Sequence, residues 1–236
     1  MSIAHRYPTI TQAALHVIAR KGYHQASIRE IARAAELSLA GLYHYVGSKD
    51  ELLFLVIDQA LDSLLGKLDA ALAEAVTPET RLLALIRTHL EFAFHNGAAL
   101  KVINRDVEVL ADAHRMAATQ KRQSYLLRGL EILRALDTAG RSNEELLSAT
   151  NLLLGMLNGI ATRPFVGQGR GVEALTGEVG RLFLHGFLGT GERDGQNAMA
   201  GPEIGRTSHA AREPAGAGVA TARVPAPGDI GDKHEG

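Results

Sequence analysis

The stretch from residue 38 to residue 51, SLAGLYHYVGSKDE, concentrates side chains that can bind phosphate oxygens. Tyr43 and His44 carry polar groups on rigid stems, and Lys49 follows in a helix that Ser48 can cap. The free amides of that first helical turn add partial positive charge. These residue types in this order predict a surface that grips a phosphate backbone.

Two short helices joined by a tight turn contain this stretch and the residues before it. The apolar spacing predicts helices over about 28–35 and 39–45, each preceded by a serine that can cap it, Ser27 and Ser38. The second helix starts with small residues, which let its backbone approach base edges in the DNA major groove. The arrangement is typical of a DNA-binding helix-turn-helix.

The second short helix also predicts which side chains face outward. Leu42 and Val46 lie four residues apart and can share the buried face. That register turns Tyr43 and His44 toward solvent and leaves Tyr45 near the boundary.

The rest of the ordered chain is predicted to be helical as well. A long helix should follow Ser48 and continue through Leu68, and the fold class is all-α with about nine helices. From about residue 191 the chain is rich in glycine and alanine, holds four of the seven prolines and lacks aromatic residues, which predicts a disordered tail over 191–236. The other helices are expected at about 8–21, 78–95, 98–112, 114–138, 143–163 and 172–188.

Composition excludes several kinds of protein and site. The chain has no cysteine, which excludes disulfides, thiolate catalysis and cysteine-ligated zinc. No secretory signal or membrane-spanning apolar run is recognisable, so we expect a cytoplasmic protein without a membrane partner. The formal net charge is −1, but residues 1–50 hold six lysines and arginines against three acids, a net of +3. A locally basic segment favours contact with phosphates.

The histidines give little support for a metal site. Glu91 and His95 lie four apart on one predicted helix face, and His89 or His114 could add a ligand. His89 is six residues from His95, however, which puts it off that face. No Ser/His/Asp order is recognisable either, so we predict no metal site, no cofactor and no catalytic residue.

The run from about Thr9 to Leu53, with ASIREIARAAELSLAGLYHYVGSKDEL at its centre, resembles the DNA-binding domain of the TetR family of transcriptional regulators. The resemblance implies a three-helix DNA-binding domain over 1–50 and a helical ligand-binding and dimerisation domain over 51–190. It implies that Arg29 reaches a base and that Leu39 reads thymine methyl groups by apolar contact. The other implied DNA contacts are phosphate binding by Ser27, Tyr43, His44 and Lys49, and groove contact by Ser38, Ala40 and Gly41.

The predicted helix over 143–163 has more apolar surface than one core stripe needs, and such a helix should meet two partners. By the resemblance, this helix and the last one form a four-helix interface with a second copy of the chain. A single internal core is the alternative reading. The implied interface residues are Leu153, Leu157, Ile160, Phe183 and Phe187.

The segment NRDVEVLADAHRMAATQKRQSYLLRGLEIL also resembles helices of TetR-type regulators that respond to acyl-CoA thioesters. Apolar side chains could hold an acyl chain while arginines meet phosphates. Alternatively, Arg105 forms a structural ion pair with Asp106 or Asp112. Multidrug-type cations are the second candidate class of ligand, after fatty-acyl, steroid-derived or similar apolar molecules. The predicted ligand-binding residues are Phe92, Arg105, Arg122, Tyr125 and Met156.

Taken together, the sequence predicts a homodimeric regulator that binds a near-palindromic double-stranded DNA operator and is released by a small effector. A ligand-dependent activator would fit the same residues. The alternative from another class is a helical enzyme or ligand-sequestering protein whose DNA-binding hairpin is vestigial.

Overall fold

The computed structural model describes residues 6–161 and 171–187, and this part of the chain folds into nine α-helices. The prediction of an all-α fold with about nine helices is confirmed. The predicted tail over 191–236 lies outside the described residues. The helices are α1 Tyr7–Lys21, α2 Ile28–Ala34, α3 Leu39–Tyr43, α4 Lys49–Glu74, α5 Pro78–His95, α6 Gly97–Asp106, α7 Asp112–Leu136, α8 Asn143–Ala161 and α9 Val172–Arg181.

Two of the predicted helices end in a change of helical type. The stretch expected to be helical to residue 112 leaves the α conformation after Asp106 and continues as a single 3₁₀ turn, Val107–Val109. After α9 the chain winds more widely, as a π-helical segment over Leu182–Phe187.

Serine hydroxyls fix the beginnings of the helices around the helix-turn-helix. Ser27 accepts a hydrogen bond from the Glu30 amide at 3.1 Å, and Ser38 accepts one from the Gly41 amide at 2.9 Å. Ser48 caps α4 in the same way, through the Glu51 amide at 3.0 Å. Each hydroxyl accepts a hydrogen bond from an amide that has no partner within the first turn of its helix. The positions of the serines in the sequence therefore determine where these helices begin.

The turn between α2 and α3 is tight and contains one residue in the left-handed region. The Leu37 amide donates to the Ala32 carbonyl at 2.8 Å, and the Glu36 amide donates to the Arg33 carbonyl at 3.1 Å. Glu36 has φ of 57°, a conformation that glycine usually supplies after a helix. The turn therefore holds α3 against α2 at some conformational cost.

Two apolar cores stabilise the described part of the chain. The N-terminal core joins α1, α2 and α3 to the first half of α4, and residues of α6 and α7 close it. The C-terminal core is built from the second half of α4 with α5, α7, α8 and α9. Because α4 contributes Leu53 and Ile57 to the first core and Leu64 and Leu68 to the second, one continuous helix connects them. The predicted domain boundary at residue 50 lies in this helix and remains a prediction.

The beginning of α4 is also fastened to α7. Asp50 accepts a hydrogen bond from the Ala111 amide at 2.8 Å, and its second oxygen lies 2.5 Å from Nδ1 of His114. The His114 ring stacks on Phe54, with ring centroids 4.3 Å apart and planes 5° from parallel. The position of the helix-turn-helix is thereby linked to the larger group of helices.

Within the described ranges, none of the helices has the length and apolar character required to cross a membrane. No group of three or more histidine, aspartate or glutamate side chains there is arranged to hold a metal ion.

Candidate nucleic-acid interface and internal cavity

Helix α3 exposes the side chains that the sequence places outward. Leu42 and Val46 are buried, whereas Tyr43 is 48% exposed and His44 is exposed. The predicted register of α3 is confirmed. Tyr45 is partly buried, and the Tyr7 hydroxyl donates to its carbonyl at 3.1 Å. Its ring meets the edge of the Tyr7 ring at 5.9 Å, so Tyr45 fastens α1 while Tyr43 stays free for a partner.

The first turn of α3 presents mainly short side chains at the protein surface. Ser38 and Ala40 are exposed, and Leu39 and Gly41 are partly exposed. A Cβ atom on Gly41 would lie 3.1 Å from the Ser38 hydroxyl, so glycine keeps the capping hydrogen bond undisturbed. This surface has the shape that close approach to base edges requires.

Arg29 and Ser27 stand on the exposed side of the α2 start. The neighbouring Glu30 is tied to Lys21 by an ion pair, and that contact lowers the pKa of the Glu30 carboxyl. In the part of the chain that the structure describes, Arg29 has no ion-pair partner of its own. Its guanidinium is available to DNA.

Lys49 is held rather than free. Its ammonium donates to the His24 carbonyl at 3.4 Å and lies 4.2 Å from the centre of the Tyr23 ring. Partial burial lowers the pKa of Lys49. The contacts keep the charge beside the loop between α1 and α2, at the N-terminus of α4, where a phosphate would also meet free helix amides.

A cavity of about 600 Å³ lies among the helices beyond the N-terminal core. Residues of α4, α5, α6, α7 and α8 form its wall. The apolar part of the wall consists of Leu61, Leu64, Leu100, Ile103, Leu126 and Leu154. Its size and apolar lining are those of a small-molecule site.

Polar side chains from four helices lie next to one another along this wall. The Asn104 amide nitrogen donates to Oδ1 of Asn158 at 3.0 Å, and Nδ1 of His89 lies 3.1 Å from the Tyr125 hydroxyl. All four residues line the cavity. The other polar residues of the wall are Thr119, Arg122, Gln123 and Asn151.

His89 and Tyr125 are both almost fully buried. Burial lowers the pKa of His89 to about 4, and the nearby Asn158 side chain opposes that shift only in part. Burial also raises the pKa of the Tyr125 hydroxyl. At neutral pH the imidazole is therefore uncharged and the tyrosine keeps its proton.

Two of the predicted ligand-binding residues, Arg122 and Tyr125, line the cavity. Phe92 borders a different, smaller cavity of about 240 Å³ beside α1 and α4, and Met156 is not part of the large cavity's wall. The Phe92 side chain is buried where α5 meets the smaller cavity.

Arg105 does not line the cavity, and its contact with a ligand stays a prediction. Its guanidinium hydrogen-bonds both oxygens of Asp106 and donates to the Ile18 carbonyl at 2.7 Å. These contacts raise the pKa of Arg105, chiefly through Asp106. The structural ion pair, considered as the alternative, is what the fold contains, and it connects α6 to α1.

Reasoning from sequence missed His89 and Asn158 as parts of a cavity. From the sequence, His89 is a candidate metal ligand only. A signal was available, because His89 falls in the stripe of Leu82, Leu85 and Ile86, where a polar side chain must find a buried partner or a ligand.

The predicted dimer contacts need correction. Leu153 and Leu157 are completely buried in the C-terminal core and Phe183 is 7% exposed, so none of these three offers a surface to a partner. Ile160 is partly exposed, and the side chain of Phe187 lies outside the described part of the chain. The exposed apolar side chains of this region are Leu152, at 67%, and Leu182, at 58%. The error came from assigning the most apolar face to the partner, whereas the chain's own core takes it.

Comparison with known proteins gives two family matches. Residues 10–56 match the family described as bacterial regulatory proteins, tetR family. Residues 75–186 match the family described as tetracyclin repressor-like, C-terminal domain.

Individual proteins agree with these matches. The HTH-type transcriptional regulator BetI of Rhizobium meliloti is 35% identical over 144 residues, which are 59% of this chain and 71% of that protein. A TetR-family regulator from Bordetella parapertussis has a solved structure that superposes with a TM-score of 0.70 at 30% identity, covering 78% of this chain and 96% of the other. The regulator FadR from Bacillus subtilis, solved with stearoyl-CoA, has a TM-score of 0.63 at 22% identity, covering 76% and 98%. This last likeness extends to the fold alone.

Proposed function

The chain belongs to the TetR family of bacterial transcriptional regulators, and from that premise we propose that it is a homodimeric repressor released from its operator by an elongated apolar effector. Family membership makes it a DNA-binding regulator and not an enzyme. The operator is proposed to be near-palindromic, because two copies related by a twofold axis bind two half-sites in opposite orientation. It acts in the cytoplasm, where bacterial DNA is.

The observation that carries the proposal is the cavity of about 600 Å³, because its wall includes α4, the helix that begins next to the helix-turn-helix. Leu61 and Leu64 of α4 form part of the cavity wall, and the same helix begins at Lys49 beside α3. A ligand that moves the cavity end of α4 would move the helix-turn-helix with it. The arrangement supports control of DNA binding by a bound molecule.

The composition of the wall supports an apolar or acyl-CoA-type effector. Six leucine and isoleucine side chains can pack on an acyl chain. Arg122 lines the cavity with 42% of its side chain exposed, and its Nη1 lies 3.9 Å from the exposed Glu108 carboxylate, which an anionic group of a ligand could replace. Among the described residues that line the cavity none is an aspartate or glutamate, which disfavours the multidrug-type cations.

The proposed dimer uses the exposed faces of α8 and the segment after α9. Leu152 and Leu182 are largely exposed there. Exposed apolar side chains on neighbouring segments are favourable for packing between two copies of the chain.

The test of DNA binding and release uses the full chain and the DNA upstream of its own gene. We expect gel-shift binding that weakens with salt and that is reversed by acyl-CoA thioesters, with thermal stabilisation by the same compounds. Release by hydrophobic cations alone, or equally by free fatty acids, would contradict the effector class. A reporter gene that is silent without the protein and active with it would indicate an activator.

The Arg29→Ala variant tests the DNA contacts. We expect it to relax discrimination at one symmetric pair of operator positions by about 1 to 3 kcal/mol. Uniform weakening across single-base operator variants would assign Arg29 to the phosphate backbone instead.

The dimer is tested with Leu152→Glu/Leu182→Glu in sedimentation velocity. We expect monomers that lose operator affinity, because a single half-site offers too few contacts. The matched control is Met116→Glu, which puts the same charge on a side chain that is 71% exposed on α7. A double variant that sediments as a dimer would place the interface elsewhere.

A further inference from the structure

One buried polar atom in the cavity wall has no partner. His89 is 3% exposed and lines the cavity, and its Nε2 makes no hydrogen bond within the described residues. The Asn158 side chain lies close enough to raise the pKa of His89, but no atom of it reaches Nε2 with hydrogen-bond geometry, and its Oδ1 accepts from Asn104 at 3.0 Å. Buried ring nitrogens in folded proteins are almost always paired, so an unpaired one that borders a cavity points to a ligand.

The Tyr125 hydroxyl determines where the imidazole proton is. Burial keeps this hydroxyl protonated, and its hydrogen needs an acceptor. In the described part of the chain its partner is Nδ1 of His89, at 3.1 Å. A neutral imidazole accepts at Nδ1 only when its hydrogen is on Nε2. Nε2–H is therefore the unpaired group, and it is a donor.

We propose that the effector carries an uncharged hydrogen-bond acceptor, such as a carbonyl oxygen, that accepts from Nε2–H of His89 at the buried wall of the cavity. This assignment rests on the proposed function, because it names the chemistry that the effector must have. A thioester, ketone or ester carbonyl on an otherwise apolar chain meets the requirement.

The surroundings of His89 favour a neutral acceptor over a charged one. Asn104, Asn158 and Tyr125 are uncharged neighbours on the same wall. A carboxylate brought to this depth would lose its hydration and gain one neutral donor, and a cation would meet a donor instead of an acceptor. These uncharged polar side chains thus favour binding of an apolar molecule that carries a carbonyl group.

The experiment compares two pairs of probes that differ in a carbonyl oxygen. Dodecanoyl-CoA is compared with S-dodecyl-CoA, a thioether that lacks that oxygen, and 2-undecanone is compared with undecane. Affinity is measured by fluorescence titration of the full chain. We expect the carbonyl compound of each pair to bind wild-type protein about tenfold more tightly, the value of one buried hydrogen bond.

Three variants separate the hydrogen bond from packing. His89→Phe removes the donor and keeps an aromatic ring, and His89→Phe/Tyr125→Phe also removes the hydroxyl that the first change would leave unpaired. The double variant should bind the carbonyl and non-carbonyl compounds equally, and any preference left in the single variant measures donation by the unpaired Tyr125 hydroxyl. Thr176→Val is the control, because it removes a buried hydroxyl of α9 that does not line the cavity, and it should keep the tenfold preference.

The free protein offers a test that needs no ligand. Long-range ¹H–¹⁵N spectra should show His89 as the neutral Nε2–H tautomer, and Tyr125→Phe should remove that preference. A proton on Nδ1 in wild-type protein, or equal affinity of wild-type protein for both members of each probe pair, would overturn the assignment to His89.

The outcomes also separate this assignment from the proposed function. If neither CoA compound releases the operator but 2-undecanone binds more tightly than undecane, the acyl-thioester effector fails and the His89 assignment stands. If dodecanoyl-CoA and S-dodecyl-CoA release the operator equally well, the regulator stands and the His89 assignment fails. Absence of binding by all four probes would overturn both.

Discussion

The polar side chains at the DNA-facing end and those in the cavity are held in opposite ways. Around α2, α3 and α4 the serine hydroxyls accept from amides three residues away, and Tyr43 and His44 are exposed. In the cavity the hydrogen-bonded pairs join residues 36 and 54 positions apart, and the His89–Tyr125 pair is buried. The DNA-facing end should therefore respond to substitutions locally and additively, whereas the cavity should respond as a connected network.

The largest effect is expected where the two regions meet. Arg105→Ala would leave the buried Asp106 carboxylate without its cation and would free the Ile18 carbonyl. We expect the free energy of unfolding in urea to fall by roughly 3 kcal/mol.

The control for that prediction is Arg115→Ala. Its pair with Asp112 has an acceptor that is 88% exposed, so the loss should be below about 0.5 kcal/mol. Equal losses for the two arginines would mean that the Arg105 contact is as weak as a surface pair and does not join the regions.

The next effect concerns the pH dependence of stability and tests whether His89 is buried in the folded chain. The pKa of His89 is about 4 in the folded chain and about 6.5 when unfolded. Between these values the unfolded chain binds a proton that the folded chain does not, so stability falls as the pH drops below 6.5. We expect this group to lower the free energy of unfolding by about 2 kcal/mol from pH 7 to pH 5.

The measurement for this prediction is urea denaturation at each pH for wild-type protein and for His89→Phe/Tyr125→Phe. The double variant lacks the titrating ring, so its free energy of unfolding should fall less between pH 7 and pH 5. Identical pH dependence of the two proteins would show that His89 is hydrated in the folded chain.

A smaller effect is expected at the DNA-facing end. Lys49→Ala should weaken binding to all DNA sequences by about 1 kcal/mol and lower the salt slope by roughly one per protomer. Because the Lys49 ammonium touches the His24 carbonyl and the Tyr23 ring, Lys49→Gln serves as a control that keeps a polar side chain of similar length. Loss of affinity for one sequence only would contradict the phosphate assignment.

The smallest expected effect is an increase in the free energy of unfolding. Glu36→Gly removes a left-handed side chain from the turn between α2 and α3 and should raise the free energy of unfolding by about 0.5 kcal/mol. Glu36→Asn should gain less, and Glu36→Ala should gain nothing. A loss of stability in the glycine variant would show that the Glu36 side chain contributes a contact that outweighs the strain.

The sequence predicted the local features well for a physical reason. Helix beginnings depend on a serine and the amide three residues later, and the register of α3 depends on the spacing of Leu42 and Val46. Both are relations within one turn or two of a helix, so they can be derived from residue order.

The cavity and the partner surface could not be derived in this way. Whether Arg105 meets ligand or Asp106, and whether Leu157 meets its own core or another chain, depends on how distant helices cross. The apolar pattern of α8 is compatible with burial of Leu157 in the chain's own core and with contact between Leu157 and another chain. His89 shows what could have been recovered, since a histidine in an apolar stripe requires a partner that residue order does not name.

The continuity of α4 has a mechanical consequence. From Lys49 to Leu64 the helix rises by about 22 Å, at roughly 1.5 Å for each residue. A tilt of about 5° at the cavity end would therefore carry the DNA-binding end by about 2 Å. In a symmetric dimer the two displacements would add, against a groove repeat of about 34 Å. The effector need only displace the side chains around it by a small distance. The length and stiffness of one uninterrupted helix convert that small displacement into a larger one at the DNA-binding end, which then no longer fits the DNA.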